Sequence, residues 1–255
     1  MYVKNLKTLY MLASKHSQYQ ALPTALGALL GELPKTTKFD RERLSFIAEN
    51  VPLEKAVVLD IGGNTGYFSF ESLSLGARHV DYVEGDSAHA EFVSVAGRYL
   101  ELEERINIFN NYYDFDQSLK KRYDVSYLMN VVHHFGDDYG DPKSDISKAK
   151  KLMLSNLNSL SKCSQYLVFQ MGFCWKGERS SPLFELGLKS EMIGFIKAGV
   201  EEFWEVEKIG VAEKVNNKVV YRDCSNENIA RDDSLGEFLN RPIFILKSKV
   251  QQNIS

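Results

Sequence analysis

Residues 57–70 read V-V-L-D-I-G-G-N-T-G-Y-F-S-F. Three apolar residues, Val57 to Leu59, run into Asp60. A turn then holds Gly62, Gly63 and Gly66, and apolar residues resume at Tyr67. A short run of this kind, rich in β-branched residues, suits a strand buried on both faces of a parallel sheet. The glycines permit positive φ and let a ligand approach the main chain. Tyr67, Phe68, Phe70, Leu73 and Leu75 suit the helix that follows. Strand, glycine turn and helix together make a place where backbone N–H groups face whatever lies above the sheet.

Two familiar phosphate-binding turns do not fit. The dinucleotide fingerprint G-x-G-x-x-G, started at Gly62, needs glycine where Asn64 stands. No Gly-Lys-Ser/Thr closes the turn as a P-loop would. Asp60 at the strand end repels a pyrophosphate and attracts an ammonium group.

Downstream, Gly76 suits the end of that helix. In H-V-D-Y-V-E-G-D, residues 79–86, Val80, Tyr82 and Val83 lead as a second strand into Glu84. An acid at that place, about 20 residues past the glycine turn, can accept both hydroxyls of a ribose. Asp86 or Ser87 caps a helix running through Arg98. A third strand, Ile106 to Phe109, enters N-N-Y-Y-D-F-D. There Asn111 could pair with the amino edge of a purine and Tyr112 could offer its main-chain N–H. A plain structural turn is the other reading, and both stay open.

The fourth strand, Tyr123 to Met129, runs into N-V-V-H-H-F-G. Strand ends of a doubly wound sheet share one crevice, so Asn130, His133, His134 and Phe135 leave at the same rim as Asp60 and Glu84. The histidine pair is either structural or a proton acceptor; it lacks a clustered third ligand for a metal. A helix from Ser144 to Leu160 and a fifth strand, Tyr166 to Gln170, follow. The loop 171–182 carries Phe173, Trp175, Lys176 and Arg179. Beyond it the pattern predicts a helix over Lys189 to Ala198 and a strand over Phe203 to Val211. A polar stretch from Glu213 to Asn240 holds a short hairpin around Val219 to Tyr221. A last strand, Pro242 to Leu246, begins with proline, as a strand start or an edge allows.

Residues 1–50 show helical spacing instead. Leu6, Leu9, Tyr10 and Ala13 fall on one face, Ala25 to Leu30 form a short apolar piece, and Arg41 to Glu49 suit a third helix. Pro23 and Pro34 break the region. It reads as a helical cap on a main domain spanning 51–250. The crowded His16, Gln18, Tyr19 and Gln20 are either an ordinary helix end or, for Tyr19 and Gln20, a closure over the ligand site.

The 255 residues are 44% hydrophobic and 25% charged, ordinary for a globular protein able to bury its own core. Cys163, Cys174 and Cys224 are widely spaced and form no C-x-x-C pair, which points to a reducing compartment and away from a zinc site. No run reaches the roughly 20 apolar residues of a membrane span, and the N-terminus lacks a signal peptide's apolar stretch. The expected location is the cytoplasm. A formal net charge of −3 gives no electrostatic case for binding bulk nucleic acid. Basic clusters at Lys35 to Arg43, Lys120 to Arg122 and Lys148 to Lys151 are solvated faces or, for one of them, a phosphate contact.

Together the elements give βαβαβ-βαβαβ-β: an α/β, doubly wound, seven-stranded and mostly parallel sheet with crossovers placing helices on both faces. The Asp60 to Gly66 loop, the Glu84 strand end and the N-V-V-H-H-F segment from Asn130 occur in the order found in class I S-adenosylmethionine-dependent methyltransferases. The chain resembles that family over about residues 50–250. The resemblance implies a seventh strand inserted antiparallel beside the fifth and S-adenosyl-L-methionine as cofactor. Asp60 would face its amino group, and N–H groups around Gly62, Gly63, Asn64 and Gly66 its carboxylate. Glu84 would take the ribose, Asn111 and Tyr112 the adenine, and Asn130 would stand at the methyl-bearing rim. Asn111 departs from the family, many members of which carry an acid there.

The implied activity is methyl transfer to an oxygen or nitrogen of a small-molecule or glycan-type acceptor, without a metal. His134, ahead of His133, would remove the proton of a hydroxyl acceptor. The acceptor is expected between the fourth-strand rim and the 171–182 loop. A tRNA-nucleoside acceptor and a non-catalytic nucleoside-binding module on the same fold stay open as alternatives. Asp60 and the glycine spacing speak against an NAD-dependent oxidoreductase.

Overall fold

The computed structural model describes residues 2–11, 19–30, 38–116, 121–137, 140–141 and 143–250. His16, Gln18, Pro34, Lys35 and Lys120 of the sequence reading lie outside them. Three helices come first: α1 (Tyr2–Met11), α2 (Thr24–Leu30) and α3 (Asp40–Asn50). The central unit follows as β1 (Val57–Ile61), α4 (Tyr67–Ser74), β2 (His79–Val83), α5 (Ser87–Tyr99) and β3 (Ile106–Phe109). The second half runs β4 (Tyr123–Met129), α6 (Ile146–Ser159), β5 (Ser164–Gln170), α7 (Lys189–Val200) and β6 (Trp204–Val215). It closes with β7 (Lys218–Asp223), the one-turn α8 (Gly236–Leu239) and β8 (Ile243–Ser248).

One sheet holds all eight strands in the order β3-β2-β1-β4-β5-β8-β6-β7. β1 is buried at every residue because it lies inside the sheet with both faces covered, parallel to β2 and β4. Alternate strand residues feed two separate cores. Val58, Val80, Tyr82 and Val125 pack with Phe46, Phe68 and Phe92, under the helices α3, α4 and α5. Leu59, Leu128, Leu167 and Phe169 pack on the other face with Met153, Leu157 and Ile196 of α6 and α7. α1 packs along α5, and α3 packs over β7 and β8.

Among the described residues the count is eight strands, not seven. The hairpin expected around Val219 to Tyr221 is a full edge strand, β7, paired antiparallel with a β6 that runs on to Val215. Its turn is the dipeptide Asn216-Asn217, both at positive φ (49° and 62°), the backbone that tight two-residue hairpins require. The expected antiparallel insertion is present. β8 lies between β5 and β6 and is antiparallel to both. Pro242 therefore marks a strand start inside the sheet, where its missing N–H precedes the ladder, rather than an edge.

Candidate cofactor and acceptor site

β1, β2 and β4 end at a common crevice, the topological switch between β1 and β4. The cavity there has a volume of about 270 Å³, near the lower end of the range for small-ligand sites and on the scale of a nucleoside. Ile61, Gly62, Asn64, Val83 and Glu84 form its middle, and Asn111, Tyr112, Tyr113 and Phe115 one end. Met129, Asn130, Val131, His134, Tyr19 and Gln20 form the other.

Glu84 is half-buried at the end of β2 and held by two backbone donors. Asn64 N–H donates to Oε2 at 2.9 Å and Asp86 N–H to Oε1 at 2.8 Å. Each oxygen keeps lone-pair capacity toward the cavity. Asp86 caps α5 by accepting from the Ala88 and His89 N–H groups at 2.9 and 3.1 Å. His89 lies one turn in, buried, its Nδ1 3.5 Å from Asn64 Nδ2. The Tyr112 ring lies across Gly85, where a Cβ would meet it at 2.4 Å. Asn111 donates its amide locally, to the Tyr112 carbonyl at 2.8 Å.

The glycine turn is folded down on its neighbours. A Cβ on Gly62, at φ 69°, would sit 2.5 Å from Val131 Cγ2; one on Gly63 would sit 2.4 Å from the Tyr82 ring. Most of its donors are engaged. The N–H groups of Gly62 and Gly63 reach the Val83 carbonyl, and that of Gly66 reaches Gly63. Gly66 as N-cap offers α4 no side-chain oxygen, so remote residues supply them. Tyr67 N–H donates to Gln20 Oε1 at 3.2 Å, and the Ser69 hydroxyl and N–H both reach Asp60. Asp60 thus lies behind Gly63, off the cavity wall. Burial pushes its carboxyl up to about 7; Ser69 opposes this and Glu84 adds to it.

On the β4 side, Asn130 takes positive φ (62°) and both ends of its amide are occupied. Nδ2 donates to Gln170 Oε1 at 2.9 Å, and Oδ1 accepts from Arg241 Nη1 at 2.8 Å. Both histidines lie on a 3-10 turn, Val132–His134, with their ring centres 4.4 Å apart, yet their surroundings differ. His133 is buried and its Nδ1 accepts from Gly172 N–H at 3.2 Å; His134 reaches the cavity wall, its Nδ1 4.0 Å from Asp137. Phe135 turns into the core, where its carbonyl accepts from Trp175 Nε1 at 2.6 Å.

The 171–182 loop therefore packs behind His134 rather than across the cavity. Its Gly177 is beside the His134 ring, and Tyr19 and Gln20 wall the site instead. Of the expected site residues, Gly62, Asn64, Glu84, Asn111, Tyr112, Asn130 and His134 meet at the cavity. Asp60, Gly63, Gly66 and His133 support it from beneath. The sequence reading passed over His89, Tyr113 and Phe115. The alternation Tyr113-x-Phe115 and the position of His89 one turn past the Asp86 cap were the available signals. Among the described residues, no group of His, Cys, Asp or Glu could hold a metal ion, and no helix is long and apolar enough to cross a membrane.

No family model and no curated protein matches the sequence. Solved structures do. A protein of Streptococcus thermophilus described as a candidate hemolysin superposes with a TM-score of 0.52 at 13% identity, over 87% of this chain and 69% of its own. A candidate RNA methyltransferase of Pyrococcus horikoshii gives 0.48 at 15% identity, over 96% and 98%. An S-adenosylmethionine-dependent methyltransferase of Clostridium acetobutylicum gives 0.49 at 11%, over 84% and 92%. With five parallel strands in the order 3-2-1-4-5 and an antiparallel strand inserted after the fifth, the chain has the fold of the class I methyltransferases, extended by one edge strand.

Proposed function

We propose that the protein is an S-adenosylmethionine-dependent methyltransferase acting on an oxygen or nitrogen of a small-molecule or glycan-type acceptor. The observation that carries this reading is Glu84. Its carboxylate is fixed by two backbone N–H groups at the wall of a nucleoside-sized cavity, one strand away from the glycine turn. A ribose diol fits such a carboxylate, because both hydroxyls are donors and both oxygens retain acceptor capacity. Tyr112, Tyr113 and Phe115 offer the purine an aromatic end, and Asn64, Gly62 and Asn130 border the other part of the ligand. Asp60 serves the cofactor through the turn that it anchors.

The bound cofactor supplies an electrophilic sulfonium methyl. The residues of this chain align the acceptor with it, and alignment of this kind is worth up to roughly 7–11 kcal/mol. Asn130, locked between Gln170 and Arg241, sets the rim against which the acceptor rests. His134 takes the proton of a hydroxyl acceptor at Nε2, its Nδ1 being turned toward Asp137. Tyr19 and Gln20, from the N-terminal helical cap, exclude water at that end. Cys163, Cys174 and Cys224 are free, which supports a reducing compartment such as the cytoplasm.

Calorimetric titration with S-adenosylhomocysteine and with NAD tests the cofactor. Saturable binding of the first alone is the expected result, and binding of NAD alone overturns the reading. Incubation with S-adenosylmethionine and fractionated metabolites then identifies the acceptor by its gain of one methyl group.

A further inference from the structure

With the ribose at Glu84 and the purine beside Tyr112 and Phe115, the methionine tail of the cofactor extends to the opposite end of the cavity. Tyr19, Gln20 and Asn130 wall that end. The glycine turn has little left to offer the tail. The N–H groups of Gly62, Gly63, Asn64 and Gly66 already reach Val83, Glu84 and Gly63. Asp60 lies behind Gly63 with the Ser69 hydroxyl bound to it. The α-carboxylate of the tail therefore needs donors from elsewhere in the wall.

Two donors stand there, both from the segment that precedes α2. Gln20 is buried, and its Oε1 accepts from Tyr67 N–H at 3.2 Å. That bond fixes which end of the amide is oxygen, so Nε2 is the end left to donate to a ligand. The Tyr19 ring forms part of the same wall, edge-on to Phe238 at 6.0 Å. Its hydroxyl is buried and has no hydrogen-bond partner among the described residues. Such a hydroxyl is a standing cost to the unliganded fold, which an accepting ligand oxygen recovers. Burial pushes the hydroxyl's pKa up. The Arg241 and Arg43 guanidinium groups pull it back, ahead of the smaller pushes from Asp40 and Glu237, so the charge around it favours an anion. Ala21 N–H, bonded to Asp40 at 2.7 Å, pins the segment in place.

We propose that Tyr19 and Gln20 hold the α-carboxylate of the cofactor, the tyrosine hydroxyl and Gln20 Nε2 both donating to it. The N-terminal cap then takes the part that the glycine turn and Asp60 leave unfilled. That the ligand carries such a tail rests on the methyltransferase reading.

The test is calorimetric titration of the full chain with three ligands. They are S-adenosylhomocysteine, methylthioadenosine, which lacks the amino-acid tail, and decarboxylated S-adenosylhomocysteine, which keeps the amine and lacks only the carboxylate. Wild type should bind the first about tenfold or more tighter than either of the others. Tyr19→Phe should cut that ratio about fivefold or more, through weaker binding of S-adenosylhomocysteine alone. Its melting temperature without ligand should equal or exceed that of wild type, because the unpartnered hydroxyl is gone. Gln20→Glu keeps an acceptor for Tyr67 N–H and turns the donor into a negative charge. It should lose about tenfold or more in S-adenosylhomocysteine affinity while binding the decarboxylated amine as well as wild type does, or better. A purely structural role would move all three ligands together. Thermal unfolding verifies each fold, and Gln20→Met, which only deletes the donor, replaces the glutamate variant if that one fails to fold. Equal wild-type affinity for S-adenosylhomocysteine and methylthioadenosine, or a wild-type ratio in either variant, overturns the proposal and leaves the nucleoside site standing. Binding of none of the three overturns the methyltransferase reading and the proposal with it.

Discussion

Ser69 donates its hydroxyl to Asp60 Oδ2 at 2.7 Å, tying the end of β1 to the first turn of α4. The carboxylate does the work of a helix cap that Gly66 cannot do. It does so fully buried, and burial holds its folded-state pKa at about 7, above the ordinary 3.8. The folded protein therefore binds the extra proton between those values. This stabilising contribution is complete below pH 3.8 and is lost as the pH rises through about 7. Asp60→Asn removes it. Urea unfolding of both proteins at intervals between pH 4 and 8 should show wild-type stability falling relative to the variant as pH rises. Parallel curves would count against a buried, proton-binding Asp60.

Gly62 is fixed by two separate demands, a φ of 69° and contact with Val131. Gly62→Ala meets both penalties, the strained backbone and a Cβ 2.5 Å from Val131 Cγ2, and should destabilise by about 1–3 kcal/mol. Val131→Ala clears the contact but not the dihedral. The double variant should recover part of the loss and no more, a coupling that denaturant unfolding of the four proteins measures. Full recovery would mean that the backbone carries no strain.

Glu84→Ala strips the acceptor from two backbone donors and from the proposed ribose. Affinity for S-adenosylhomocysteine should fall by about 1–3 kcal/mol, and by less in Glu84→Gln, which keeps one carbonyl oxygen. Calorimetry on variants with unchanged melting temperature decides this, and wild-type affinity in the alanine variant would move the ribose elsewhere.

What the sequence made legible was whatever local chemistry dictates. Ile106–Phe109 and Tyr123–Met129 are strands over the residues expected, because each is rich in β-branched and aromatic residues and is closed by polar punctuation. Glu84 stands where its strand and spacing put it. The position of Asp60 was not legible: a strand-end acid can face a ligand or a helix, and the choice depends on Ser69 and on Gly63 lying over it. The wall formed by Tyr19 and Gln20 was one of two open readings, since the bond that places Gln20 against Tyr67 spans 47 residues of chain. The 171–182 loop went behind the histidines through long-range bonds, Trp175 to Phe135 and Gly172 to His133 among them, that no periodicity encodes. β7 was underrated because its polar faces hid a two-asparagine turn.

The two histidines should separate cleanly by experiment. His133 is buried with its Nδ1 accepting from Gly172 N–H, so His133→Ala leaves that donor without its acceptor and opens space in a packed turn. The expected cost is about 1–3 kcal/mol of stability, with turnover per folded molecule little changed. His134 reaches the cavity, and its ring lies 4.4 Å from that of His133 with Gly177 on another side. His134→Ala should cut turnover about 10²–10⁴-fold while leaving stability and cofactor affinity near wild type, as loss of a general base does. The pH profile separates this from mere misalignment. Wild-type turnover should rise with a single ionisation as the base loses its proton, and the residual activity of the alanine variant should lack that step. A variant that keeps wild-type turnover, or the same pH step, would leave alignment by Asn130 and the cavity walls as the whole of catalysis, with the acceptor's proton going to water.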